Sequence, residues 1–343
     1  MTAPWFKGLC KGQDLLKSNY PQEAGISHER QGCGSRVIPA GAVESRWQTG
    51  DGHAVRRIDW PAPAGAAQGS ILFLPGRGDF YEKYLETLDH WHGQGWQVTA
   101  SDWRGQAGSG RLGLDAVTGH IDDFATWAED LGTLWKHWKA ATPGPHVLAG
   151  HSMGGHLVLR ALAEGQVDPD GLILSAPMLG FAASLLPVPV MHGAARLMKA
   201  LGDPRRPAWK WSEAPGQVPA ERIHLLTHDA ERYGDELYWR EARPELVMGP
   251  GSWGWVERAY ASMRFLAEPG LLEGVRTPVL ILATDNDKLV GYKATARAAA
   301  RLGDCELVHF GKEAHHEILR EADPVRDRAL AACDAFLTRI AGH

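Results

Sequence analysis

Cysteine is scarce in these 343 residues, and Cys10, Cys33, Cys305 and Cys333 form neither a CxxC pair nor any metal-ligand spacing. A disulfide scaffold and a zinc finger are thereby excluded, and nothing in the sequence supports a Cys10–Cys33 bridge. Cys305 and Cys333 sit in apolar segments and are expected as buried thiols. Blocks of like charge are also missing. With a net charge of −5 and a pI near 6.3, the chain carries no footprint for nucleic acid. The first 17 residues lack a continuous apolar stretch and a small-residue cleavage site, so no signal peptide is expected and the location expected is cytoplasmic. Residues 171–195 hold no Asp, Glu, Lys or Arg, enough length to cross a bilayer. However, 171–176 reads as a buried strand, and Pro177, Pro187 and Pro189 interrupt the remainder of the run. A strand and then an apolar surface helix are expected there, not a membrane span. No internal repeat is visible.

Several catalytic patterns fail as well. No S-x-x-K occurs, which removes the penicillin-binding type of serine site. His28-Glu29 and His316-Glu317 miss the metalloprotease pattern, because Gly32 and Arg320 stand where the second histidine is required. Gly76-x-Gly78 mimics a dinucleotide fingerprint with Asp102 beyond it, but Tyr81 occupies the place of the third glycine. No metal and no organic cofactor is implied.

What is present is a hydrophobic fraction of 44%, enough to bury a large core in one elaborated domain. Short apolar runs at 70–74, 97–100, 146–149, 172–174, 278–282 and 305–310 read as strands. Amphipathic stretches at 81–93, 121–140, 153–163, 292–300 and 324–340 read as helices. This alternation predicts an α/β fold, a mostly parallel central sheet flanked by helices. Residues 43–48 and 54–60, around Gly50-Asp51-Gly52, predict an antiparallel edge hairpin. The alternation stops across 179–260, a segment with several prolines and the tryptophans Trp209, Trp211, Trp239, Trp253 and Trp255. It predicts an inserted helical cap over the carboxyl ends of the strands. The expected organisation is an arm at 1–40, a core at 41–178 and 261–343, and a cap at 179–260.

The chemistry is concentrated at Gly150-His151-Ser152-Met153-Gly154-Gly155, where an apolar strand runs into a helix. A serine at so sharp a turn is left strained and exposed, and Gly150 and Gly154 relieve the crowding around it. A serine hydroxyl needs a base, and the base needs a carboxylate to orient it. Asp287 and Asp285 both come directly after a strand. Asp287 is favoured because Leu289 and Val290 can bury its loop, and Asp285 is the alternative. Among the adjacent histidines, His316 opens the next helical segment and is the expected base, with His315 beside it. Oxyanion donors are expected from the backbone N–H of Met153 and from that of Arg77, next to Gly76.

These residues resemble the bacterial lysophospholipase and monoacylglycerol lipase branch of the α/β-hydrolases. The resemblance covers roughly residues 70–340. It rests on Pro75-Gly76-Arg77 with Tyr81-Glu82-Lys83-Tyr84, Asp102-Trp103-Arg104-Gly105-Gln106 with Ser109-Gly110-Arg111, Gly119-His120-Ile121-Asp122-Asp123-Phe124, Asp287-Lys288-Leu289-Val290 and His316-Glu317-Ile318-Leu319. It implies the α/β-hydrolase fold, a Ser152–Asp287–His316 triad, and Arg77 and Met153 in the oxyanion hole. Pro75-Gly76 stands where many monoacylglycerol lipases have His-Gly, and Ala283-Thr284 where a glycine is usual. A lysophospholipid or monoacylglycerol is the implied substrate, and a generic carboxylesterase is the runner-up. A hydrolase-shaped binding protein without turnover is the alternative of another class. The apolar cap predicts peripheral contact with the inner membrane.

Overall fold

The computed structural model describes residues 36–63, 65, 67–182, 187–210 and 220–342. Most of the expected arm at 1–40 lies outside the described residues, as do Cys10, Cys33, the His28-Glu29 pair and Trp211.

Eight strands form one sheet: β1 (Val43–Gln48), β2 (Ala54–Trp60), β3 (Gly69–Leu74), β4 (Trp96–Ser101), β5 (His146–His151), β6 (Gly171–Ser175), β7 (Val279–Thr284) and β8 (Cys305–Phe310). Their order across the sheet is β1-β2-β4-β3-β5-β6-β7-β8. β1, β2 and β4 pair antiparallel, and every other neighbour is parallel. Strands β3, β5, β6 and β7 are buried at every position, which is why their sequences are continuous apolar runs and not alternating ones. The strand order reverses at β3, which has β4 on one side and β5 on the other. Loops leaving β3 and β5 therefore diverge around a crevice, the place where open α/β sheets bind ligands.

Helix α1 (Leu85–Gly93) packs on β4, and α2 (Phe124–Ala141) packs on α3 (Met153–Ala163), which covers β5. The span expected as a helix at 81–93 divides, with Tyr81–Tyr84 forming a 3-10 turn before α1. The span expected at 121–140 begins only at Phe124, because the Asp123 carboxylate caps the Ala125 amide at 2.9 Å.

Between β6 and β7 the described residues contain helices and no strand. They are α4 (Val188–Ala200), α5 (Ile223–Leu226), α6 (Ala230–Ala242) and α7 (Trp253–Leu266). The uncharged stretch 171–195 contributes β6 and the start of α4, and no helix among the described residues is long and apolar enough to cross a membrane. Helix α7 runs through residue 260 to Leu266 and packs against α2, α3 and α4, so it joins the core layer to the helices above it. The sheet is completed by α8 (Tyr292–Ala299) on β7 and β8, and by α9 (Asp323–Ala341) on β6 and β7.

Candidate active site

Ser152 sits between the last residue of β5 and the first residue of α3, with φ 52° and ψ −117°. A non-glycine residue with positive φ is strained, and here the strain is held by three backbone bonds. Its N–H donates to the Ser175 carbonyl at 2.9 Å, and its own carbonyl accepts from His156 at 3.0 Å and Met178 at 2.9 Å. The turn tolerates no side chains at its flanks. A Cβ on Gly154 would lie 2.4 Å from the carbonyl oxygens of both Leu74 and Pro75, and one on Gly150 would lie 2.7 Å from the Gly154 carbonyl carbon. The backbones of β3, β5 and α3 thus meet at van der Waals limits around one hydroxyl.

His316 approaches that hydroxyl from the segment after β8. Its Nε2 lies 2.9 Å from Ser152 Oγ, and its Nδ1 lies 2.6 Å from Asp287 Oδ2. Asp287 stands on the loop after β7, where its Oδ1 accepts the Leu289 and Val290 amides at 2.7 and 2.9 Å. All three side chains are buried. Burial alone would raise the Asp287 pKa, but the His316 charge, its hydrogen bond and the two amides outweigh this and hold it below the ordinary value. Burial works against protonation of His316, yet the Asp287 carboxylate, with smaller help from Glu317 and Asp79, raises its pKa above the ordinary histidine value. The arrangement can relay a proton from Ser152 to His316 while Asp287 stays ionised.

The loop after β3 closes the other side of the hydroxyl. The Cβ position of Gly76 lies 3.1 Å from Ser152 Cβ, so the backbone at 76 borders the nucleophile position and a side chain there would crowd it. Met153 opens α3, where the first amides of a helix have no intrahelical acceptor. Gly76 and Met153 therefore border Ser152, and Arg77 follows Gly76 in the same loop. The Arg77 guanidinium points into the residues between β6 and β7, lying over the rings of Trp209 and Trp255 at 5.1 and 4.9 Å, and donates to the Gly249 carbonyl at 2.8 Å.

A hydroxyl, an imidazole and a carboxylate in series at the carboxyl end of a parallel sheet are the equipment of a serine hydrolase. Residues 65–323 match the hydrolase family described as serine aminopeptidase, S33. The chain belongs to this family. It is 31% identical to lysophospholipase L2 of Escherichia coli over 281 residues, 78% of this chain and 80% of the relative. The fold is also that of monoglyceride lipase from Saccharomyces cerevisiae, solved with a substrate analog. That match has a TM-score of 0.70 at 18% identity, covering 89% of this chain and 96% of the other. A monoacylglycerol lipase from Paleococcus ferrophilus matches with a TM-score of 0.63 at 19% identity, over 84% and 99% of the two chains.

In this S33 hydrolase the alternative acid, Asp285, turns outward: it is half-exposed and lies 3.4 Å from His309 Nε2 instead of from His316. His315 likewise points away from Ser152 and stacks on His228 with ring centroids 3.8 Å apart. Behind the site stands a group that sequence reasoning did not assign. Asp79 Oδ2 lies 3.1 Å from both the Tyr84 hydroxyl and His151 Nδ1, and accepts the Gly76 amide at 3.3 Å. One carboxylate thereby ties the loop after β3 to the residue preceding Ser152. Its other oxygen accepts from the fully buried Lys83, whose ammonium also reaches Glu317 and Glu236. The available signal was a run of charges inside a buried turn, Tyr81-Glu82-Lys83-Tyr84, which local periodicity cannot interpret.

Proposed function

We propose that this S33 hydrolase cleaves the carboxylic ester of a lysophospholipid or monoacylglycerol through an acyl-enzyme on Ser152. The observation that carries the hydrolytic reading is the unbroken hydrogen-bond series from Ser152 Oγ through His316 to Asp287. Ser152 Oγ attacks the ester carbonyl as His316 Nε2 takes its proton. The Met153 and Arg77 amides receive the oxyanion. His316 then protonates the departing alcohol oxygen, and the acyl group remains on Ser152. A water deprotonated by the same nitrogen attacks the acyl carbon, and Ser152 leaves with its proton restored. The substrate class is supported by the similarity to lysophospholipase L2 over most of both chains. The test is a p-nitrophenyl ester chain-length series run beside lysophosphatidylcholine and monoacylglycerol. Turnover of the long acyl esters and at least one of the two lipids is expected; turnover of acetate and butyrate alone would make the protein a small-ester carboxylesterase.

The same reading puts the enzyme in the cytoplasm, touching the inner membrane through the cap. Val190 and Leu197 of α4 and the adjoining Leu201 are exposed at positions that share one side of the helix, an apolar face that costs free energy in water and gains it at a lipid surface. Changing Leu197 and Leu201 to serine is expected to weaken co-sedimentation with phosphatidylglycerol vesicles while p-nitrophenyl butyrate hydrolysis is retained. Equal sedimentation of variant and wild type would remove α4 as the contact.

His316 acts as a base only when neutral. Its pKa is raised above the ordinary value of about 6.5, so kcat/KM is expected to rise with pH through an inflection above that value. In Asp287→Asn the carboxylate is gone and burial dominates, so the inflection moves to lower pH while the plateau falls. A pH profile with the same inflection in both proteins would contradict this account.

A further inference from the structure

We propose that His228, His315 and Glu321 form a site for a zinc-type divalent transition-metal ion that pins the cap to the segment carrying His316. The three residues each offer a ligand atom, and these atoms lie within 4.8 Å of one another. Two imidazoles and a carboxylate are a donor set that suits zinc and its neighbours, and three protein ligands leave a fourth position for water. His228 lies in the cap between α5 and α6, whereas His315 and Glu321 flank the turn after β8.

The carboxylate is already fixed. Glu321 is fully buried, with Oε1 accepting the His315 amide at 2.6 Å and Oε2 the His228 and Ala322 amides at 2.9 and 3.1 Å. Oε1 keeps a second lone pair, and His228 Nδ1 lies 3.0 Å from it. That separation is near the edge of about 3.3 Å spanned by two ligands of a tetrahedral zinc ion. The proton shared by His228 Nδ1 and Glu321 is then the one a cation displaces to solvent.

The independent observation is His315. As a residue it is more than nine-tenths buried, and its Nδ1 has no hydrogen-bond partner among the described residues. A buried ring nitrogen left unpaired is costly, and a metal ion is a partner that would satisfy it. Its ring already lies face to face with that of His228, at an interplanar angle of 20°. His228 is 41% exposed, which gives an ion a route in and gives the ring freedom to close the remaining distance. The seam is otherwise built of direct bonds, since the Glu317 amide donates to the Leu226 carbonyl at 2.8 Å and the Thr227 hydroxyl to the Arg320 carbonyl at 2.8 Å. An ion here would fasten that seam a few residues from His316 without touching Ser152.

The test compares the chelator-treated full chain with His228→Ala, a change at a partly exposed side chain outside the catalytic machinery. The chain has 16 histidines, so the quantity read is the difference between the two proteins. Wild type is expected to bind one more Zn²⁺ per chain, or to bind it more than about tenfold tighter, than the variant. Co²⁺ is expected to give visible d–d absorption in wild type that the variant lacks, and Zn²⁺ to raise the Tm of wild type alone. Metal-free ester hydrolysis should be the same in both. Equal stoichiometry, affinity and Co²⁺ spectra, or no Zn²⁺ binding by wild type at submillimolar concentration, would overturn the proposal.

Discussion

Replacing Ser152 or His316 by alanine is expected to lower kcat by about a million-fold, and replacing both to lower it no further. The two groups act as one device, because the proton of Ser152 Oγ passes to the Nε2 that lies 2.9 Å away. Removing either leaves only substrate binding and the oxyanion donors, which still give a residual rate above that of water. Asp287→Asn is expected to cost less, about 10⁴-fold, since the nucleophile and base survive while the imidazole loses its orientation and its counter-charge. Ser152→Ala keeps the Cβ and the same positive-φ backbone, so it adds no new strain at the turn. Its unfolding midpoint should therefore stay near that of wild type, separating lost chemistry from lost structure. The check is single-turnover hydrolysis of a p-nitrophenyl ester by the two single variants and the double variant. A double variant slower than both singles by the product of their losses would show that Ser152 and His316 do not work together.

The turn at Ser152 was legible because its signature, the end of an apolar strand, two glycines and a helix start, lies within ten residues, although Ser175, Met178 and Leu74, which hold it, do not. The placement of Asp287 and His316 in series behind Ser152 was legible for a related reason, since each falls on the segment leaving a recognisable strand, β7 or β8. Choosing Asp287 over Asp285 depended on the apolar Leu289 and Val290, and in the structure it is their amides that grip the Asp287 carboxylate. The helix starts were less legible: Asp123 and the turn at Tyr81–Tyr84 move them by three or four residues, because capping and turn geometry override periodicity. The charged seam beside α6 was not legible at all. Helix α6 buries Arg232, Glu236 and Arg240 at spacings of four, the face where an apolar stripe would be expected. A stripe of charge at helical spacing reads as a solvated surface unless its partners are known. Those partners, Glu86 for Arg232 and Lys83 and Arg320 for Glu236, lie far away in the sequence.

Lys83→Met is the stability counterpart of the serine experiment. Met keeps much of the aliphatic stem and removes the charge, so packing changes little while three carboxylates lose their shared cation. Lys83 Nζ lies 2.6 Å from Asp79, 2.6 Å from Glu317 and 2.9 Å from Glu236, and the side chain is fully buried. Burial alone would push its pKa down, but the three carboxylates hold it above the ordinary lysine value. The arginines at 222, 240 and 320 remain near Glu236, whereas among the described residues Asp79 has no second ion-pair cation within 4 Å apart from the His151 ring. Breaking a buried pair by deleting one partner costs about 3–5 kcal/mol, and that loss is expected in urea unfolding at neutral pH. Its pH dependence identifies the cause. In wild type Asp79, Glu236 and Glu317 are held below their ordinary pKa values, so their contribution is present above the unfolded-state pKa and fades as pH falls through the folded one. Without Lys83, burial raises the Asp79 pKa above its unfolded value, and the folded variant then takes up a proton on acidification. The stability gap between Lys83→Met and wild type should therefore narrow between neutral pH and about pH 5. A gap of constant size across that range would assign the loss to packing and leave the charge balance around Lys83 without a stabilising role.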